Sequence, residues 1–144
     1  MSSSAASSKF SGTIPAQGSD SVIQFFIQGA DTRGATSMYP AAGTNSRAMI
    51  KVGPAESSAG KQTFRIIMTP ADAALLHQFV NLMSDDLFGC TIVHNEREVF
   101  YDARIRLHGS MFSRTSSSST GFAVKFPADH LFRGSRKSVV VRRS

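Results

Sequence analysis

Between Val99 and Phe126 the sequence reads VFYDARIRLHGSMFSRTSSSSTGFAVKF, and the residue types in it can hold an anion. Gly109, Ser110 and the serine/threonine run after them carry little bulk and many N–H and O–H donors. Backbone donors at such a tip can cradle a phosphate-sized anion. Arg114 lies inside the run, and Lys125 follows where Phe122, Val124 and Phe126 alternate, so its ammonium turns away from that apolar row. A cation on a rigid strand facing a donor-rich flap is how phosphoryl-transfer enzymes hold nucleotide phosphates. A solvated strand lysine beside a plain surface hairpin accounts for the same residues, and the pattern leaves both readings open.

Other chemistry has thinner support. The histidines at 77, 94, 108 and 130 show no metal-ligand spacing. There is no G-x-S-x-G elbow, no Walker-type phosphate loop and no protein-kinase glycine loop. The adjacent Asp85 and Asp86 read as a solvated acidic pair. Cys90 is the single cysteine, so no internal disulfide forms, and its setting in LFGCTIV predicts a buried, inert thiol.

Positioning these residues requires a sheet. VIQFFIQG places Ile23, Phe25 and Ile27 on one strand face, and SRAMIKV places Ala48, Ile50 and Val52 inward. These strands, joined by a long polar connection, resemble the final pair of a β-sandwich. VGPAESSAGKQ reads as a linker. TFRIIM is a strand that runs into a helix over 70–83, with Thr69 as N-cap, Pro70 at the first position and Asp72 near the free N–H groups. Leu75, Leu76, Phe79, Val80 and Met83 make its apolar stripe. CTIVHNEREVFYDARIRL is a hairpin turning at His94-Asn95-Glu96. Val99, Tyr101, Ala103, Ile105 and Leu107 are expected on one face of its return strand, with Glu98, Asp102, Arg104 and Arg106 on the other. GFAVKF and KSVVVRRS add two more strands.

At 144 residues the chain is one ordinary domain or two incomplete ones, and 41% apolar content is enough for a core. The net charge of +6 is concentrated late, in Arg133, Arg136, Lys137, Arg142 and Arg143. That basic end reads as a solvated edge, and the aromatics read as buried, so no nucleic-acid partner is expected. No apolar run approaches the roughly 20 residues that span a bilayer, so no membrane insertion is expected. MSSSAASSKF lacks the features of a signal peptide.

The segments FRIIMTPADAALL, FYDARIRLHGSMFSR and GFAVKFPADHLFRG resemble the start of the CotH-type (spore-coat kinase) family. The matching positions are Arg104, Arg106, Leu107, Gly109, Ser110 and Phe122 to Phe126. The stretch before them looks like the end of a fibronectin-like domain. The resemblance implies an α+β fold: a mostly antiparallel sheet with one packed helix, as in a kinase-like first lobe, preceded by strands of an incomplete β-sandwich. It divides the chain into 1–52 (sandwich strands), 53–61 (linker) and 62–144 (the N-terminal part of the kinase domain). It further implies ATP and a divalent metal (Mg) as cofactors of a longer parent, and a serine-containing protein as substrate. Gly109, Ser110 and Arg114 would form the flap, Lys125 the phosphate-facing cation, and Arg104 or Arg106 its support. The catalytic aspartates are expected in a second lobe past Ser144, and the parent is expected to be secreted or on the cell surface. The alternative is a non-catalytic cell-surface module with a structural or adhesive role.

Overall fold

The computed structural model describes residues 10–54, 60–115 and 120–142. The middle of the expected linker (55–59), the serine run 116–119 and Arg143 lie outside the described residues. The fold is α+β, and its sheets are antiparallel. A five-stranded meander carries the molecule: β5 (Phe64–Ile67), β6 (Phe88–His94), β7 (Glu98–His108), β8 (Gly121–Lys125) and β9 (Ser138–Arg142), each paired with the next. Helix α1 (Pro70–Leu76) follows β5, and a short helix α2 (Met111–Thr115) sits between β7 and β8.

The earlier strands form two small ladders. β1 (Val22–Gln24) pairs with β4 (Met49–Lys51), and β2 (Ile27–Ala30) pairs with β3 (Thr36–Tyr39). VIQFFIQG is therefore two strands, not one. The Phe25 N–H still donates to the Ala48 carbonyl at 3.0 Å, and the chain then pairs with β3 from Ile27, which is 61% exposed, so Ile27 does not continue the strand face of Ile23. Met49 packs with Ile67 and Val93, joined by Val22 and Val99, on one side of the large sheet. The other side holds the main core, in which Ile92, Phe100, Ile105, Leu107 and Val124 are fully buried alongside Leu76, Leu82 and Phe132.

The start of α1 follows from local chemistry. Thr69 is extended, its hydroxyl accepts the Asp72 N–H at 3.1 Å, and Pro70 occupies a position where no N–H is needed. Thr69→Ala should cost about 1 kcal/mol of stability in urea denaturation; an unchanged midpoint would show that the cap adds nothing. The end of α1 differs from the expected 70–83. The helix stops at Leu76, and Gln78 is extended with ψ 141°. The Asn81 side-chain amide folds back to donate to the Leu75 carbonyl at 2.7 Å, satisfying a C-terminal acceptor that a longer helix would have used internally. The apolar stripe is broken as a result: Phe79 and Val80 are 74% and 80% exposed, while Leu76 and Leu82 enter the core.

The faces of β7 also need correction. Cys90 pairs with Ala103 and Ile92 with Phe100, so Tyr101 and Asp102 together oppose Thr91 in a β-bulge. Asp102 takes φ +55°, a left-handed conformation that Asp tolerates better than most residues. The bulge swaps the faces: Phe100 is buried before it, and Ala103, Ile105 and Leu107 after it. Val99 instead joins the opposite side with Met49, and Tyr101 meets Phe25 and Tyr39 edge-on at 5.5 and 6.3 Å. Burial, and then Tyr39, push the Tyr101 phenol above its ordinary value.

The β6–β7 turn falls where expected. Asn95 and Glu96 both have positive φ and the Arg97 N–H donates to the His94 carbonyl at 3.1 Å, which reverses the chain between the paired His94 and Glu98. Cys90 is fully buried, and desolvation pushes its thiol far above the usual range.

Candidate functional site

Arg104 and Lys125 are direct register partners across β7 and β8. Each sits between core residues (Ala103 and Ile105, Val124 and Phe126), so both side chains project from the face opposite the main core. Both are exposed, and among the described residues neither makes an ion pair or side-chain hydrogen bond. Ser138 of β9 is the next partner of Lys125 on that face. Arg106 lies on the same side, opposite Ala123, but its guanidinium meets Asp85 at 3.2 Å. That carboxylate is 88% exposed, so the pair holds Arg106 only weakly.

Beside Arg104 the face deepens into a hollow of about 320 Å³ lined by Asn45, Arg47, Leu87, Gly89 and Asp102 among others. Two features make it. A Cβ on Gly89 would lie 2.6 Å from the Arg47 side chain, so only glycine lets that stem cross β6. The Arg47 Nε then reaches Asp72 of α1 at 3.0 Å, which fixes the guanidinium along the wall. Asp102 anchors the opposite wall: its carboxylate accepts the Ser46 hydroxyl at 3.0 Å and the Arg47 backbone N–H. Thr91, fully buried, accepts the Met49 N–H at 2.9 Å and donates to the Arg47 carbonyl. This network seats the 46–49 segment on the bulge. The hollow's volume falls at the small end of the range for ligand sites.

The loop residues lie elsewhere. Gly109 has φ +118°, and a Cβ there would meet the Ser113 hydroxyl at 2.3 Å, so the position requires glycine. Ser110 serves its own turn: its carbonyl accepts the Arg114 N–H at 3.0 Å and the Ser113 hydroxyl at 2.9 Å. Arg114 is buried, donating through Nε to the Gly109 carbonyl at 2.9 Å and through Nη1 to the Leu82 carbonyl at 2.7 Å. Leu82 belongs to the main core, so the described part of the loop is stapled toward the face that carries α1. Lys125 points from the other face. It is also four residues along β8 from Gly121, about 14 Å at a strand's rise. The structure thus brings Arg104 and Lys125 together, with Arg106 near them, and does not bring Gly109, Ser110 or Arg114 to that pair. The one carboxylate in the first turn of α1, Asp72, holds Arg47 rather than Lys125.

Arg47, Asn45 and Asp102 were not singled out by the sequence. Asp102 carried one signal, a short acidic side chain inside an otherwise well-patterned strand, where Asp is disfavoured. Arg47 carried none, because its place depends on a glycine 42 positions away in sequence. Compared with protein-family models, curated proteins and solved structures, the chain matches none.

Proposed function

We propose that the open face of β7 and β8 binds a phosphate-bearing ligand, with Arg104 and Lys125 as its cations and the Arg47–Asn45 hollow beside them receiving the rest of the molecule. Following the sequence resemblance, the ligand is ATP with a divalent metal. The chain then contributes the nucleotide-binding first lobe of a longer CotH-like, secreted or surface-attached kinase that phosphorylates protein serines. The observation that carries the reading is the Arg104↔Lys125 pair. Like charges directly opposite each other on a sheet cost up to about 1 kcal/mol, and no carboxylate among the described residues relieves them. A phosphate bridging the two converts that repulsion into two charge-assisted contacts.

Lys125→Met is the direct test. Its side chain lies outside the core, so removal opens no cavity. A charge-assisted contact contributes roughly 1.5–3 kcal/mol. Calorimetry with magnesium-ATP should therefore show affinity about ten- to a hundredfold weaker than wild type. Equal affinities would make Lys125 a solvated strand residue. A second reading, a non-catalytic surface module, draws support from the large apolar side chains Phe79, Val80, Met83 and Phe112, which are 56–88% exposed. Wild-type protein that binds no nucleotide would favour it.

A further inference from the structure

The strand order leaves β9 at an edge, hydrogen bonded among the described residues to β8 alone. Register decides which of its backbone groups are free. The Phe126 N–H donates to the Lys137 carbonyl at 2.9 Å, so the pairs that exchange hydrogen bonds are Val124↔Val139 and Phe122↔Val141. Ser138, Val140 and Arg142 fall between them and turn their N–H and C=O groups outward. The outward row borders a groove of about 610 Å³. Phe64 of β5, Phe132, Val139 and Val141 give the groove apolar walls, and Arg133, Arg136 and Arg142 bring cations to it. Arg133 is held in place, stacked 5.3 Å over the Phe132 ring and bonded to Gln62 at 3.2 Å. None of the described residues lining the groove is acidic.

We infer that β9 is a strand-addition site for an extended segment of a partner protein in which apolar and acidic residues alternate. A strand laid along β9 continues its pleat. Every second side chain then falls on the side of Val139 and Val141 and enters the groove against Phe64 and Phe132. The intervening side chains fall on the face of Ser138 and Arg142, where a carboxylate is complementary to the arginine. A second copy of the chain is the poorer occupant, because pairing two β9 edges sets the arginines of one copy against those of the other. The inference stands apart from the phosphate reading, since it uses the β9 edge and not the Arg104–Lys125 pair.

The test uses a fluorescent hexapeptide alternating valine and glutamate, with a valine–lysine counterpart as control. Anisotropy should rise and saturate with the acidic peptide and stay flat with the lysine peptide. Val140→Pro removes one outward N–H without touching the β8 ladder, as proline at an edge allows, and should weaken binding about tenfold. Arg142→Glu should weaken the acidic peptide and admit the lysine one. An acidic peptide N-methylated on the amides that would face β9 should not bind, which tests backbone pairing without altering the protein. The inference is overturned if wild type ignores the acidic peptide or if the N-methylated peptide binds equally well. It is also overturned if sizing reveals a dimer that Val140→Pro dissolves, since the edge is then filled by a second copy.

Discussion

Phe100→Ala is expected to cost about 3–5 kcal/mol, the largest loss of any substitution considered for this chain. Phe100 is fully buried and its ring meets Phe126 at 4.7 Å, His130 at 4.5 Å and Phe132 at 6.0 Å. It therefore joins β7 to the segment that connects β8 with β9. Truncation leaves a cavity between β7 and that segment, bordered by three rings that cannot close it by moving one of them. Domains of this kind have about 5–15 kcal/mol of stability in total, so the variant should be marginal or unfolded at room temperature. Phe79→Ala is the matched control. Its ring is 74% exposed, and its loss should change stability by no more than about 0.5 kcal/mol. Urea denaturation followed by circular dichroism reads both. Comparable losses at the two positions would mean that 70–83 is one packed helix and that the break at His77 and Gln78 is absent in solution.

The second large effect belongs to Asp102. Asp102→Ala removes the acceptor for the Ser46 hydroxyl and the Arg47 N–H, and Ser46 is fully buried. It also forces a β-carbon residue without a polar side chain into φ +55°. Lost charge-assisted bonds and the left-handed backbone together should cost about 2–4 kcal/mol. Asp102→Asn keeps an acceptor oxygen and the tolerance for that backbone, and should lose about half as much. Amide exchange distinguishes local from global damage: the Met49 N–H, bonded to Thr91, should lose protection first because its segment is seated on Asp102. Equal losses for Ala and Asn would show that the carboxylate's bonds are not what holds the segment.

Those two positions also mark where the sequence was legible. The N-terminus of α1 could be read because Thr69, Pro70 and Asp72 act on backbone groups within four residues of each other. The C-terminus could not, because it is set by the Asn81 amide returning to Leu75 across a turn, while Phe79, Val80 and Met83 continued a helical period that nothing in the fold covers. Alternation placed Ala103, Ile105 and Leu107 together, and also Phe122, Val124 and Phe126. It misplaced Val99, Tyr101 and Phe100, since one inserted residue at a bulge inverts every face before it. Arg104 and Lys125 were each legible as outward cations. That they are register partners was not, because register depends on the connection between β7 and β8. Arg114 read as a cation of the flap, and composition could not reveal that its guanidinium binds the Gly109 and Leu82 carbonyls.

The location of the phosphate is therefore the point on which the functional reading rests. An isotope-edited NMR titration with magnesium-ATP reports it residue by residue. The reading predicts saturable shifts at the amides of Arg104, Lys125 and Ser138, with Arg47 and Asn45 following from the hollow, and little change at Gly109, Ser110 and Arg114. Shifts confined to Gly109, Ser110 and their neighbours, with Arg104 and Lys125 unmoved, would contradict it and return the anion to the loop.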